Sequence, residues 1–157
     1  RRLSIQTMNR AQDKLDLYFV DRATGKNIEK IITETDDGWV NINDDLYFLK
    51  NSFIWQSERD GYAHLYQFSY NGKLVNQITS GDWALRSSGG PFWLRQSVVN
   101  IYEEKGEIYF TSLKESSIER HLYRSSIDGS NMEKISDQKG VHKINFSNNI
   151  LRESVFK

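Results

Sequence analysis

The feature that most constrains this chain is a segment that occurs twice. Phe53-Ile54-Trp55-Gln56-Ser57-Glu58-Arg59-Asp60-Gly61-Tyr62-Ala63-His64-Leu65-Tyr66 and Phe110-Thr111-Ser112-Leu113-Lys114-Glu115-Ser116-Ser117-Ile118-Glu119-Arg120-His121-Leu122-Tyr123 align without a gap 57 residues apart. They share Phe, Glu, His, Leu and Tyr at matching places. Asn71-Gly72 and Asp128-Gly129 follow at equal spacing, then Ile78-Thr79 and Ile135-Ser136. A weaker copy lies upstream at Leu17-Tyr18, Thr24-Gly25 and Ile32-Thr33. A recurring unit of this length means a repeat architecture, in which each unit buries its apolar face against the next.

The unit reads as strands. Asn-Gly or Asp-Gly between apolar runs is a strong hairpin signal, and a type I′ turn with positive φ at both central residues is expected there. His64 to Phe68 and Lys73 to Ile78 form that hairpin, and Phe53 to Ser57 reaches His64 through a turn at Arg59-Asp60-Gly61. A further strand is expected before each trio, at Trp39 to Ile42, Ser97 to Tyr102 and His142 to Phe146. Four short strands per unit is the pattern of a propeller blade. The expected fold is therefore all-β: a partial β-propeller of about three four-stranded antiparallel blades. Its units span approximately 1–36, 37–83 and 95–138, with 140–157 opening another. Gly81 to Arg95 reads as a long connection between blades.

Propeller rings close with four to eight blades, so three are expected to be part of a longer parent. Arg1-Arg2-Leu3-Ser4-Ile5, which opens in mid-pattern, carries the same expectation. An open array exposes sheet edges, through which copies of the chain are expected to associate.

Charge excludes some partners. The 21 basic and 21 acidic residues balance and are well mixed, so neither a nucleic acid nor a membrane surface is an expected partner. The absence of cysteine removes disulfides, thiolate metal sites and a cysteine nucleophile.

In order along the chain stand Asn9-Arg10-Ala11-Gln12 with Leu15-Asp16-Leu17, Thr24-Gly25-Lys26, Glu34-Thr35, Trp55 to Tyr62 with His64-Leu65-Tyr66, Ile78 to Trp83, Ile108 to Ser112, and Glu119 to Tyr123. These ordered motifs resemble the N-terminal propeller of the dipeptidyl peptidase IV family, within the prolyl oligopeptidase clan (S9), and most of all its bacterial, Bacteroides-type members. The resemblance implies an eight-bladed propeller capping an α/β-hydrolase domain that holds a Ser-Asp-His triad and releases Xaa-Pro or Xaa-Ala dipeptides. It implies a periplasmic or exported protein, with the missing blades, the hydrolase domain and a peptide substrate as partners. The alternative is a stand-alone TolB-like interaction propeller with no hydrolase attached, because fold does not fix function.

Within the chain itself no catalytic role is expected. A nucleophile of this clan sits on a Gly-x-Ser-x-Gly elbow, and the sequence has none. His64 and His121 occupy one slot in two repeats, which points to a structural role; Glu58, Tyr66, Glu115 and Tyr123 are the other repeated polar positions. His142 has no evident partner. Glu103-Glu104 echoes the family's ammonium-binding glutamate pair, but it falls between two strands as a charged turn, whereas the family's pair lies in an earlier blade. Asp36-Asp37 and Asp44-Asp45 lack calcium-loop spacing and read as solvated turn acids. No metal or other cofactor is expected. Gly38-Trp39-Val40 matches the start of a family loop that meets extended substrates, which makes Trp39 and Asn41 the candidate substrate-facing residues, although the following residues lack that loop's aromatic-arginine pair.

Overall fold

A computed structural model describes residues 2–26, 28–42, 44–87 and 96–147. Three antiparallel sheets follow one another along the chain. Sheet A is β1 (Arg2–Met8), β2 (Lys14–Asp21) and β3 (Glu29–Thr35). Sheet B is β4 (Leu46–Phe48), β5 (Ser52–Ser57), β6 (His64–Ser69) and β7 (Leu74–Gln77). Sheet C is β8 (Val98–Tyr102), β9 (Glu107–Ser112), β10 (His121–Ser126) and β11 (Glu133–Lys134). Each is a meander whose neighbours in sequence pair in space, as in a blade.

Alternation along the strands lets sheet B pack on both faces. Leu15, Leu17, Phe19 and Ile32 of sheet A meet Phe53, Trp55, Tyr66 and Phe68 of sheet B in one core. Ile54, Leu65 and Ile78 of sheet B meet Ile108, Phe110 and Tyr123 of sheet C in a second. Trp83 and Leu85 fill that second core, and Trp83 stacks on Phe110 at 6.5 Å between ring centroids. The connection after Ile78 is thus structural as far as Ser87; the remainder of the expected linker, 88–95 with Pro91, lies outside the described residues.

Several expectations need correction. Trp39 to Ile42 forms no strand; the inner strand is β4, a few residues later. His142 to Phe146 forms none either, and only Val141 makes an isolated bridge, to Arg120. The hairpin turns are not type I′, because Asn71 and Asp128 do not have positive φ. Instead Gly72 N–H donates to Ser69 O and Ser69 N–H to Lys73 O, both at 2.9 Å, leaving Gly72 alone at φ 82°. Asp128-Gly129 repeats this between Ser126 and Ser130, with Gly129 at φ 86°. A type I turn followed by a left-handed glycine bulge needs only one permissive residue.

The ungapped alignment also slips. Trp55 pairs with Tyr66 while Phe110 pairs with Tyr123, so Phe110 is the counterpart of Trp55 and not of Phe53. The β9–β10 turn is two residues longer than the β5–β6 turn. A two-residue slip keeps every side chain on its original face, so the apolar pattern accepts either register.

Candidate functional site

The repeated histidines anchor a cross-strand clamp. His64 is fully buried, with Nδ1 3.1 Å from the Thr79 hydroxyl and Nε2 2.9 Å from the Gly81 carbonyl oxygen. Thr79 Oγ1 already accepts the Leu65 N–H at 3.0 Å, so its own proton points at Nδ1 and Nε2 carries the ring proton. His121 repeats the arrangement with Ser136, at 3.0 Å, while Ser136 Oγ accepts the Leu122 N–H at 3.1 Å. Its Nε2 lies 2.7 Å from Glu119. Sheet A makes the same link with an acid, Thr33 donating to Asp16. Each of the three sheets thus ties its last two strands together through one hydroxyl.

Tyr66 and Tyr123 are buried rings whose hydroxyls find carboxylates. Tyr123 donates to Glu115 at 2.9 Å, and Tyr66 donates to Asp60. Burial and the neighbouring acid push both phenols well above the ordinary tyrosine range. The counterpart of Glu115 is therefore Asp60, as the two-residue slip requires, and Glu58 has a different role. Burial pushes the Asp60 carboxyl up, but hydrogen bonds from Tyr66 and Gln77 outweigh it and hold the group below the usual carboxylate range. A carboxylate with a depressed pKa contributes stability at neutral pH that is lost as pH falls through its folded value. In acid titration followed by circular dichroism, Asp60→Asn should therefore make the acid limb of the stability curve shallower. An unchanged limb would remove Asp60 from the account.

A second acidic cluster joins sheets A and B. Glu34, at the end of β3, accepts Trp55 Nε1–H at 3.0 Å, Ser57 Oγ–H at 2.9 Å and Arg59 Nη2–H at 2.5 Å. The Arg59 guanidinium lies 5.0 Å from the Tyr66 and Phe68 ring centroids. A carboxylate with three donors, one of them a guanidinium, is committed to holding two sheets together and is not a free base. Beside it the chain from Asp36 to Asn41 folds over a recess of about 30 Å³ bordered by Glu34, Trp39, Asn41, Trp55, Glu58 and Arg59.

Local bonds explain where Trp39 points. Asp36 Oδ1 accepts the Gly38 N–H at 2.7 Å, Val40 N–H donates to Gln12 O at 2.7 Å, and Val40 packs on the first core. With Val40 turned inward, Trp39 is left 67% exposed. Asn41 Nδ2 donates to Glu58 Oε2 at 2.7 Å and so ties this loop to the β5–β6 turn. The two candidate substrate-facing residues thus share the rim of one recess, with the Glu58 carboxylate beside them.

Glu103-Glu104 lies on a single 3₁₀ turn, Glu103–Lys105, closed by left-handed Gly106. Glu103 Oε1 accepts the Lys50 N–H at 2.6 Å, bracing the β4–β5 turn. Asp45 overturns its sequence reading. Far from solvated, it is fully buried at the junction of sheets B and C. Its carboxylate accepts Ser97 N–H at 2.8 Å, Ser97 Oγ–H at 2.6 Å, Tyr47 O–H at 2.7 Å and Val98 N–H at 3.3 Å. Burial pushes the Asp45 carboxyl upward in pKa against the pull of those donors. No sequence motif marks Asp45, and Glu34 stands only in the Glu34-Thr35 pair of the family resemblance, because the donors that bury each carboxylate come mostly from another sheet.

Among the described residues no three His, Cys, Asp or Glu side chains group as metal ligands, and no helix is long and apolar enough to cross a membrane. Comparison with known proteins agrees with the propeller geometry. The chain aligns with Porphyromonas gingivalis dipeptidyl peptidase 4 at a TM-score of 0.75 and 26% identity, over 94% of this chain and 20% of that one. A Bacteroides ovatus structure described as a dipeptidyl aminopeptidase IV candidate shares the fold, with a TM-score of 0.66, 20% identity and coverage of 83% of this chain and 20% of that one. Among curated proteins, probable dipeptidyl-aminopeptidase B of Coccidioides posadasii is 29% identical over 91% of this chain, and that of Aspergillus clavatus 28% over the same share. The chain spans about 16% of the length of these relatives. The family model for the dipeptidyl peptidase IV (DPP IV) N-terminal region matches residues 1–152, and the chain belongs to that family.

Proposed function

We propose that this chain is the propeller portion of a periplasmic or exported serine dipeptidyl peptidase of eight-bladed design. Its sheets stand as successive blades, with the expected units 1–36, 37–83 and 95–138 as their approximate limits. The propeller caps the active site of a hydrolase domain and shapes peptide access, while bond-making residues belong to that other domain. Its contribution to rate is positional. The observation that carries this reading is the family match over residues 1–152, joined to a rim on which Trp39 stands exposed and Asn41 is fixed to Glu58. We assign Trp39 and Asn41 as substrate-facing residues that meet the part of a peptide beyond the released dipeptide.

The test uses the longer peptidase. Trp39→Ala should leave kcat/KM for a Gly-Pro amide unchanged within about twofold. For an extended Xaa-Pro peptide it should fall roughly fivefold, equivalent to about 1 kcal/mol of lost contact. Equal effects on both substrates would remove Trp39 from the entrance. A gene product without a Gly-x-Ser-x-Gly elbow would overturn the peptidase reading itself.

A further inference from the structure

The recess between sheets A and B is lopsided in charge. Three carboxylates, Glu34, Asp36 and Glu58, border it against one guanidinium, Arg59. That guanidinium is already engaged: Nη2 donates to Glu34, Nε to Ser57 Oγ at 2.9 Å, and the Tyr66 and Phe68 rings lie against it. Among the described residues neither Asp36 nor Glu58 stands in an ion pair. Glu58 is exposed, and Asn41 holds it through Oε2 alone, which leaves Oε1 without a donor. Trp39 stands on the same border with its indole 67% exposed.

An exposed indole beside an unpaired carboxylate is suited to a cation. The ring face attracts positive charge through its quadrupole, and the carboxylate accepts a charge-assisted hydrogen bond. We propose that this rim selects peptides with a lysine or arginine beyond the released dipeptide, Trp39 covering the aliphatic stem and Glu58 meeting the charged end. A recess of about 30 Å³ has room for about one or two waters and not for a side chain, so the cation lies across its mouth. A long basic side chain suits that position, because its stem can rest on apolar surface while its head stays hydrated. The preference rests on the reading of Trp39 and Asn41 as substrate-facing, and it names the substrate class that they take.

The test again uses the longer peptidase, with peptides that differ only by lysine or acetyl-lysine at the third, fourth, fifth or sixth residue. At one of these positions lysine should give a kcat/KM about fivefold higher, expressed in KM, the size of an exposed cation–aromatic contact joined to one charge pair. That advantage should shrink in about 1 M NaCl, where the screening length falls to about 3 Å. Glu58→Gln keeps an oxygen for Asn41 and should abolish the lysine advantage. Glu104→Gln, which removes an exposed acid from the 3₁₀ turn, should retain it. The ratio between the two peptides does not depend on how much of a variant is folded. An advantage that survives Glu58→Gln would overturn the assignment. So would equal rates for both peptides at all four positions while Trp39→Ala still slows extended substrates, and that result would leave the entrance reading intact. Insensitivity of every peptide to Trp39→Ala would instead remove the entrance reading, and the cation preference with it.

Discussion

Replacing Asp45 by alanine should lower the unfolding free energy by about 3–5 kcal/mol, the scale of leaving two or more buried donors without their acceptor. The carboxylate takes four hydrogen bonds from Ser97, Val98 and Tyr47, all in a site with no exposure. Alanine leaves the Ser97 and Val98 amides without an acceptor, while the Ser97 and Tyr47 hydroxyls keep only long bonds to Gln56 Oε1 at 3.3 Å and the Val98 carbonyl at 3.4 Å; a buried donor left unsatisfied costs about 1–3 kcal/mol. Water entering the vacated space and the relieved desolvation of the carboxylate offset part of that sum. At about 2–4 °C per kcal/mol for a chain of this size, Tm should fall by roughly 10 °C. Asp45→Asn keeps the volume and one acceptor oxygen but turns an NH₂ toward donors, so it should cost about half as much. Urea denaturation with an unchanged m-value is the measurement. A loss below about 1 kcal/mol for alanine would mean that sheets B and C do not depend on this group. Hydrogen exchange adds a local reading: the Ser97 and Val98 amides should open first in the variant, because their acceptor is the group removed.

Asp45 also shows where reading the sequence stops. Strand content, the order of the sheets and the shared slot of His64 and His121 follow from short-range signals: alternation, turn glycines and the repeat itself. The position of the inner strand does not. Trp39-Val40-Asn41-Ile42 has the composition of a strand, but Val40 is drawn into the first core and bonded to Gln12, which leaves no free edge for pairing. The β4 strand that takes its place, Leu46–Phe48, is three residues long and is fixed by pairing with β5 and by Asp45 at its start. The two-residue slip between repeats was equally hidden, since period-two patterning is blind to even shifts. Glu34 and Asp45 look alike in sequence to the exposed acids Asp36 and Asp44 beside them. Only the arrival of another sheet separates them. At the candidate rim, Trp39 and Asn41 could be named from a local motif, whereas Glu58 and Arg59 join it through contacts some 17–25 residues away in sequence.

A glycine series separates two physical costs and tests how the sheets are spaced. Gly106, at φ 66°, has open space where a Cβ would sit, so Gly106→Ala carries only the left-handed backbone cost of about 1–2 kcal/mol. Gly72, at φ 82°, pays that cost and more: an added Cβ would lie 2.2 Å from the Ile31 carbonyl oxygen in sheet A. That oxygen belongs to backbone and cannot swing aside as a side chain could, so either the hairpin or the whole sheet must move. Overpacking of this kind adds about 1–3 kcal/mol, which places Gly72→Ala near 3–4 kcal/mol in total. Gly129, whose Cβ would meet the Gln77 carbonyl oxygen at 2.7 Å, should fall between the two. The expected order of destabilisation by chemical denaturation is Gly72, then Gly129, then Gly106. Equal losses at all three would show that positive φ alone accounts for the glycines. The sheets would then be held by their side-chain cores, with no close backbone approach at the hairpins. The graded order would instead identify each hairpin glycine as a contact between blades, conserving both the turn and the distance to the preceding sheet.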